Sequence, residues 1–264
     1  MAGNGLGTGE IQRYQRHIML REIGGPGQKR LKEARVLVIG AGGLGAPALL
    51  YLAASGVGRI AVVDDDVVEN SNLQRQVIHR HADIGAPKVH SARRAMLALN
   101  PDIEITPHDT RLDEACARAL FPGCDLVLDG SDNFPTRYMA NRIAAELGVP
   151  LIAAAIGQWE GQISLYDPAR GTPCFQCVFP EPPAPDLAPS CAEAGVFAPL
   201  PGVIGTMMAA EAVKHIAQAG ETLAGRMLIH DALHAQTRLI GLKRRADCPV
   251  CGEASCQARD SGHN

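Results

Sequence analysis

The chain has 264 residues, with 25 Lys and Arg against 28 Asp and Glu, for a formal net charge of −3. That balance argues against a nucleic-acid partner, because binding a phosphate backbone needs a surplus of clustered cations. With 46% hydrophobic and 20% charged residues the chain is too apolar to be disordered, yet no apolar run approaches the ~18 residues of a membrane span. The Gly-rich first ten residues also lack the basic region and apolar stretch of a secretory signal, so the expected location is the cytoplasm.

From residue 35 to residue 150, short β-branched runs alternate with helical stretches, the pattern of parallel strands joined by crossover helices. Strands are expected at Arg35–Ile39, Arg59–Asp64, 103–106, 125–129 and 151–155. Val89, Ala92, Met96 and Leu99 recur at helical spacing, as do Met139, Ile143 and Leu147, the second helix ending at Gly148. The expected fold class is therefore α/β: a doubly wound, Rossmann-like, mostly parallel sheet in one domain covering 1–264. Within it, 178–201 reads as a Pro-rich crossover loop, since seven prolines fall between residues 179 and 202 without periodicity. A helix is expected from 203 to 219. Strand-like runs at 226–230 and 235–242 form a C-terminal extension, and residues from 259 onward read as a frayed tail.

The first chemical motif is Gly40-Ala41-Gly42-Gly43-Leu44-Gly45, placed between a strand and a helix. Gly40, Gly42, Gly43 and Gly45 let the backbone approach a phosphate or ribose, and the helix start offers free N–H groups to an anion. Asp64 closes the next strand, where a carboxylate accepts from ribose hydroxyls, so an adenine nucleotide is the natural ligand. NAD would suit the glycines, and an NAD-linked oxidoreductase is the alternative enzyme class. The next segment suits ATP better: Asp64-Asp65-Asp66, then Asn70-Ser71-Asn72-Leu73-Gln74-Arg75-Gln76, then Lys88 opening a helix after Pro87. Arg75 and Lys88 would neutralise a triphosphate, although isolated surface cations are the commoner meaning of such residues. Asp129-Gly130-Ser131-Asp132-Asn133 lies at the carboxyl end of a strand, where Asp132 either holds Mg2+ against phosphate or caps the next helix.

Of eight cysteines, four form two C-x-x-C pairs, Cys174/Cys177 and Cys248/Cys251. Together they supply four thiolates for a closed, structural Zn2+ site, with a pair of redox dithiols as the competing reading. Cys191 stands in the Pro-rich loop, accessible enough for a nucleophile or sulfur carrier. Cys116 and Cys124 are expected in the core, Cys256 is a spare, and Trp159 and the nine histidines form no ligand spacing.

Taken together and in order, these motifs resemble those of the E1-like adenylyltransferases of the MoeB/ThiF/HesA family. The likeness runs from Arg13-Tyr14-Gln15-Arg16 to the Cys248/Cys251 pair, and Cys-Ala-Glu-Ala-Gly-Val at 191–196 is closer to the MoeB type. It departs from the family pattern at His17 and over 206–211. The resemblance implies ATP-dependent adenylylation of the C-terminal glycine of a small ubiquitin-like sulfur carrier, MoaD-like or ThiS-like, with a Gly-Gly end. It further implies that Arg75 and Lys88 neutralise phosphate, with Asp66, Ser71, Asn72, Leu73, Gln74 and Asn133 lining the nucleotide site. Asp64 would hold the ribose and Asp132 would hold Mg2+. Arg16 would reach across from the second subunit of a homodimer, and Cys191 matches a loop cysteine that forms a sulfur-linked intermediate in some members. A separate sulfur donor protein is expected, because no rhodanese-like extension comes after the second cysteine pair. A degenerate member that docks a partner without activating it is the non-enzymatic alternative, opposed by the intact Arg75, Lys88 and Asp132.

Overall fold

The computed structural model describes residues 5–183 and 194–252. Eight strands form one sheet in the order β3-β2-β1-β4-β5-β6-β7-β8, with β1 Arg35–Ile39, β2 Arg59–Asp64, β3 Glu104–Asp109, β4 Leu126–Asp129, β5 Leu151–Ile156, β6 Glu160–Tyr166, β7 Arg226–Asp231 and β8 Gln236–Gly241. Strands β1 to β5 pair in parallel, and β5-β6, β6-β7 and β7-β8 are antiparallel. The sheet is thus a mixed one, parallel on the side that carries the glycine loop.

Side chains of successive strand residues point to opposite faces, so each buried strand feeds two cores. Val36 and Val38 of β1, Leu126 and Leu128 of β4, and Ile152 and Ala154 of β5 pack on one face. That face is covered by α2 (Gly24–Glu33), α3 (Gly45–Ala54), α4 (Lys88–Leu99) and the long α8 (Pro199–Ala217). Leu37, Ile39, Val127, Leu151 and Ala153 face the other side, against α5 (Glu114–Leu120), α6 (Phe134–Leu147) and the short α7 (Phe175–Val178). Helices on both faces make the sheet doubly wound, as expected. The N-terminal helix α1 (Thr8–Ile18) is tied on by its buried Tyr14, whose hydroxyl accepts from Asn100 at 2.8 Å.

Several sequence expectations need correcting. β6 is a strand beyond those expected; Gly161, Ile163 and Leu165 alternate with Gln162 and Ser164, and the strand pairs antiparallel with β5. Helices α1, α2 and α5 are likewise additions. The Pro-rich segment is shorter than 178–201: Val178 ends α7, and α8 begins at Pro199, where prolines in the first helical turn lose no intrahelical bond. β3 sits slightly later than 103–106, because its register follows β2 through Asp64↔Asp109. Cys124 is buried as expected, whereas Cys116 is half-buried. Among the described residues, no helix is long and apolar enough to cross a membrane.

Candidate functional site

The strand order reverses between β1 and β4, and the crevice beyond the carboxyl ends of such strands is where open α/β sheets bind ligands. Register brings the expected residues to that edge: Ile39 is level with Val63 of β2 and with Asp129 of β4, so Gly40, Asp64 and Gly130 come next, side by side. Gly40 takes φ +88°, and a β-carbon at Gly45 would lie 1.9 Å from the Gly40 carbonyl oxygen, so the loop folds back on the start of α3 in a way only glycine allows.

Asp64 clamps this loop. Its Oδ2 accepts from the Ala41 N–H at 2.7 Å and its Oδ1 from the Asp66 N–H at 2.8 Å, leaving lone pairs on both oxygens for hydroxyl donors. Burial pushes the Asp64 carboxyl above the usual carboxylate range, against the pull of those two N–H groups and of Lys88. Lys88 is not a solvated surface cation. It opens α4, its side chain is only 6% exposed, and its Nζ donates to Asp66 Oδ2 at 2.6 Å. One of three ammonium protons is engaged there, and the others remain for an anion.

Arg75 lies over the loop: its guanidinium donates to the Ser71 carbonyl at 3.1 Å, and a β-carbon at Gly43 would stand 3.9 Å from Arg75 Cδ and 3.2 Å from Pro201 Cβ of α8. Asn70–Asn72 form a 3-10 turn in which Asn72 Oδ1 accepts from the Glu69 N–H at 3.2 Å, and Ser71 Oγ donates to Glu69 at 3.2 Å. Gln74 is exposed and Leu73 half-buried.

After β4 the two readings of Asp132 separate. The cap of α6 is Asn133, whose Oδ1 accepts from the Thr136 N–H at 3.0 Å. Asp132 is exposed and has no hydrogen-bond or ion-pair partner among the described residues, so the capping role falls to Asn133, which the resemblance also counts among the residues lining the nucleotide site. Arg137 donates to the Ser131 carbonyl and fixes the loop. Arg16, exposed on α1, pairs with nothing among the described residues and is not brought to the crevice. Cys191 and Cys256 lie outside the described residues.

Three residues at this edge were assigned no role by the sequence reading. Asp129 is fully buried, its Oδ1 accepting from the Ser131 N–H at 2.9 Å and hydroxyl at 2.6 Å, with Oδ2 buried and unpartnered among the described residues. Gln76 is 4% exposed, lies beside Gly42, and has an unpartnered buried Oε1. His79, also 4% exposed, contacts the Ala41 carbonyl. Burial holds its ring below the usual histidine range, and Lys88 and Arg94 reinforce that. Gln76 was visible as part of a motif, but nothing in the sequence distinguishes His79 from the other histidines.

The four paired cysteines converge beside Ala145 of α6. Their sulfurs lie within 4.8 Å of one another, with Cys174 to Cys248 at 3.6 Å and Cys177 to Cys251 at 3.4 Å, and all four are buried with Ala145 and Val250. Ligands ~2.3 Å from a tetrahedral metal stand a little under ~4 Å apart; with Cys174 to Cys177 at 4.0 Å the set is slightly wider than that, and four thiol donors are the chemistry of a closed zinc site with no open position. Burial and the neighbouring sulfurs push the Cys174 thiol up, so four thiolates need a cation among them.

The profile of the ThiF family matches residues 14–250. The chain is 48% identical over 248 residues to the SAMP-activating enzyme E1 of Haloferax volcanii, covering 94% of this chain and 91% of that protein. It is 47% identical over 252 residues to the sulfur carrier protein adenylyltransferase of Thermus thermophilus, covering 94% and 93%. Among solved structures, E. coli MccB with AMPCPP and MccA matches at TM-score 0.81 and 25% identity, covering 92% of this chain and 75% of that one.

Proposed function

Because the chain belongs to the ThiF family of E1-like adenylyltransferases, we propose that it activates the C-terminal glycine of a ubiquitin-like sulfur carrier with ATP, releasing pyrophosphate and leaving an acyl-adenylate. The observation that carries this reading is 47% identity, over 94% of the chain, to a protein named sulfur carrier protein adenylyltransferase. A MoaD-type carrier is favoured over a ThiS-type one by the MoeB-like stretch at 191–196.

Attack of a carboxylate on an α-phosphate is slow because both are anionic, so the chain's task is alignment and charge neutralisation. Lys88 and Arg75 flank the glycine loop and offset phosphate charge. Asp64 accepts from the ribose hydroxyls while holding the loop by Ala41. Asp132, exposed and unpartnered among the described residues, is the carboxylate suited to Mg2+, which when bound lowers the charge on the phosphate oxygens. Arg16 is free to meet a neighbour, and in this reading it completes the site of the second subunit of a homodimer. The Cys174, Cys177, Cys248 and Cys251 cluster holds a structural Zn2+ that ties the root of the Pro-rich segment to the C-terminal segment. Cys191 serves transfer after the adenylate has formed, with sulfur supplied by a separate protein.

Carrier-dependent ATP–pyrophosphate exchange tests the reading. Exchange with a Gly-Gly-ended carrier and none with a carrier lacking its last glycine is expected. No exchange with either carrier type, together with binding of NAD, would point to the oxidoreductase class instead.

A further inference from the structure

His79 is buried behind the glycine loop and joined to it by a chain of polar contacts. Arg94 pairs with Asp83, Asp83 Oδ2 contacts Ser91 Oγ at 2.8 Å, Ser91 Oγ contacts His79 Nδ1 at 2.8 Å, and His79 Nε2 contacts the Ala41 carbonyl oxygen at 2.9 Å. His79 and Ser91 are 4% and 1% exposed.

The protons along this chain can be assigned by counting. A carbonyl oxygen only accepts, so the last contact requires a proton on Nε2. Ser91 donates its single hydroxyl proton to Asp83 Oδ2; in the neutral ring the bare Nδ1 competes with Asp83 for that proton, and in the charged ring Nδ1 donates to Ser91 while Ser91 donates to Asp83. Nε2 carries its proton in both forms, and Ser91 fixes the ring's orientation in both.

The bond matters because of what it does to the next amide. In a trans peptide the carbonyl of one residue and the N–H of the next point in opposite directions, and no described peptide is cis. With the Ala41 carbonyl drawn inward to His79, the Gly42 N–H is turned away from the core, and it has no partner among the described residues. Asp64 meanwhile holds the Ala41 N–H, so the Ala41 residue is pinned at both its amide and its carbonyl. Beside Gly42, the buried Gln76 has its unpartnered Oε1.

We infer that His79 is a positioning residue for phosphate recognition: by holding the Ala41 carbonyl through Nε2, with Ser91 setting the ring, it aims the Gly42 N–H at a phosphate oxygen of the bound nucleotide. This rests on the nucleotide reading of the crevice. His79 itself touches no phosphate, so its removal should lower affinity for the phosphates and spare affinity for the nucleoside.

Calorimetry with ATP and with adenosine, on wild type, His79→Phe, His79→Gln and Ser91→Ala, tests this. Loss of one oriented donor to a charged oxygen predicts about tenfold weaker ATP binding for His79→Phe, with adenosine affinity unchanged. Ser91→Ala should show the same selectivity more weakly, and His79→Gln, whose side-chain amide reaches toward the Ala41 carbonyl, should recover part of the loss. In exchange kinetics the KM for ATP should rise while that for the carrier stays. Equal loss of ATP and adenosine binding, or unchanged ATP binding in His79→Phe and Ser91→Ala, overturns the inference. Should His79→Phe not fold, wild-type nitrogen NMR decides: ATP but not adenosine should shift the Gly42 amide, and the His79 ring should be protonated at Nε2; a bare Nε2 overturns it. Wild type that binds neither compound overturns the nucleotide reading and this inference with it, whereas wild type that binds ATP beside insensitive variants overturns this inference alone.

Discussion

Asp132 and Asn133 are neighbours whose removal should have opposite consequences. Asp132 has no polar partner among the described residues and is exposed, so Asp132→Ala should change stability by less than about 0.5 kcal/mol. Asn133 caps α6 through the Thr136 N–H at 3.0 Å, and loss of such a cap costs about 1 kcal/mol, or roughly 2–4 °C in a chain of this size. For activity the order reverses. A carboxylate that holds a metal against phosphate is worth several kcal/mol in the transition state, and a loss of about 4 kcal/mol is about a thousandfold. Asp132→Ala should therefore melt like wild type and fall about a thousandfold in pyrophosphate exchange, while Asn133→Ala should melt earlier and keep most of its rate. Thermal unfolding and exchange at saturating Mg2+ measure both quantities on the same preparations. Near-normal exchange by Asp132→Ala would refute the metal-holding role, and a lowered melting point in that variant would mean that Asp132 carries a structural load absent from its surroundings here.

Cys248→Ser should lower bound zinc well below one per chain by elemental analysis and lower the melting temperature, because metal binding energy is folding energy; zinc retained at full stoichiometry would exclude Cys248 as a ligand. Arg16→Ala and Lys88→Ala should each be inactive in exchange, and mixing them should restore part of the activity once subunits have exchanged, since one site of the mixed dimer would be intact. His79 and His215 are both held below the usual histidine range by burial. The unfolded chain therefore takes up protons first, so stability should be level above the unfolded histidine value near ~6.5 and fall as pH drops below it. Chemical denaturation between neutral and mildly acidic pH would reveal it, and a flat profile would contradict the burial of these rings.

How much of this was readable beforehand depended on whether the signal was local. The glycine loop, Asp64, Lys88 and both cysteine pairs are short patterns whose spacing states their geometry, and the structure gathers the first three at one sheet edge and the four cysteines at another place. β6 pairs antiparallel with both β5 and β7, and its alternation is confined to the short stretch Gln162-Ile163-Ser164-Leu165, too brief to stand out beside the apolar parallel strands. The choice between metal holder and helix cap at Asp132 could not be made from sequence, since Asp and Asn adjoin and either can cap; one hydrogen bond from Thr136 separates them. His79 was invisible because its partners Ala41 and Ser91 belong to other elements.

The cysteine cluster also bears on the order in which the chain assembles. Cys174 and Cys248 are 74 positions apart, and α8, β7 and β8 all lie between them. Closing a long loop adds only about 0.6 kcal/mol per doubling of its length, but the two sulfur pairs cannot meet until the antiparallel half of the sheet has been laid down on β5. A contact made after that step would be absent from the folding transition state, and would leave the rate of folding nearly unchanged while slowing unfolding. With metal bound, the cluster would then act as a latch on the finished molecule, setting how long the C-terminal strands stay in place more than how quickly they arrive there.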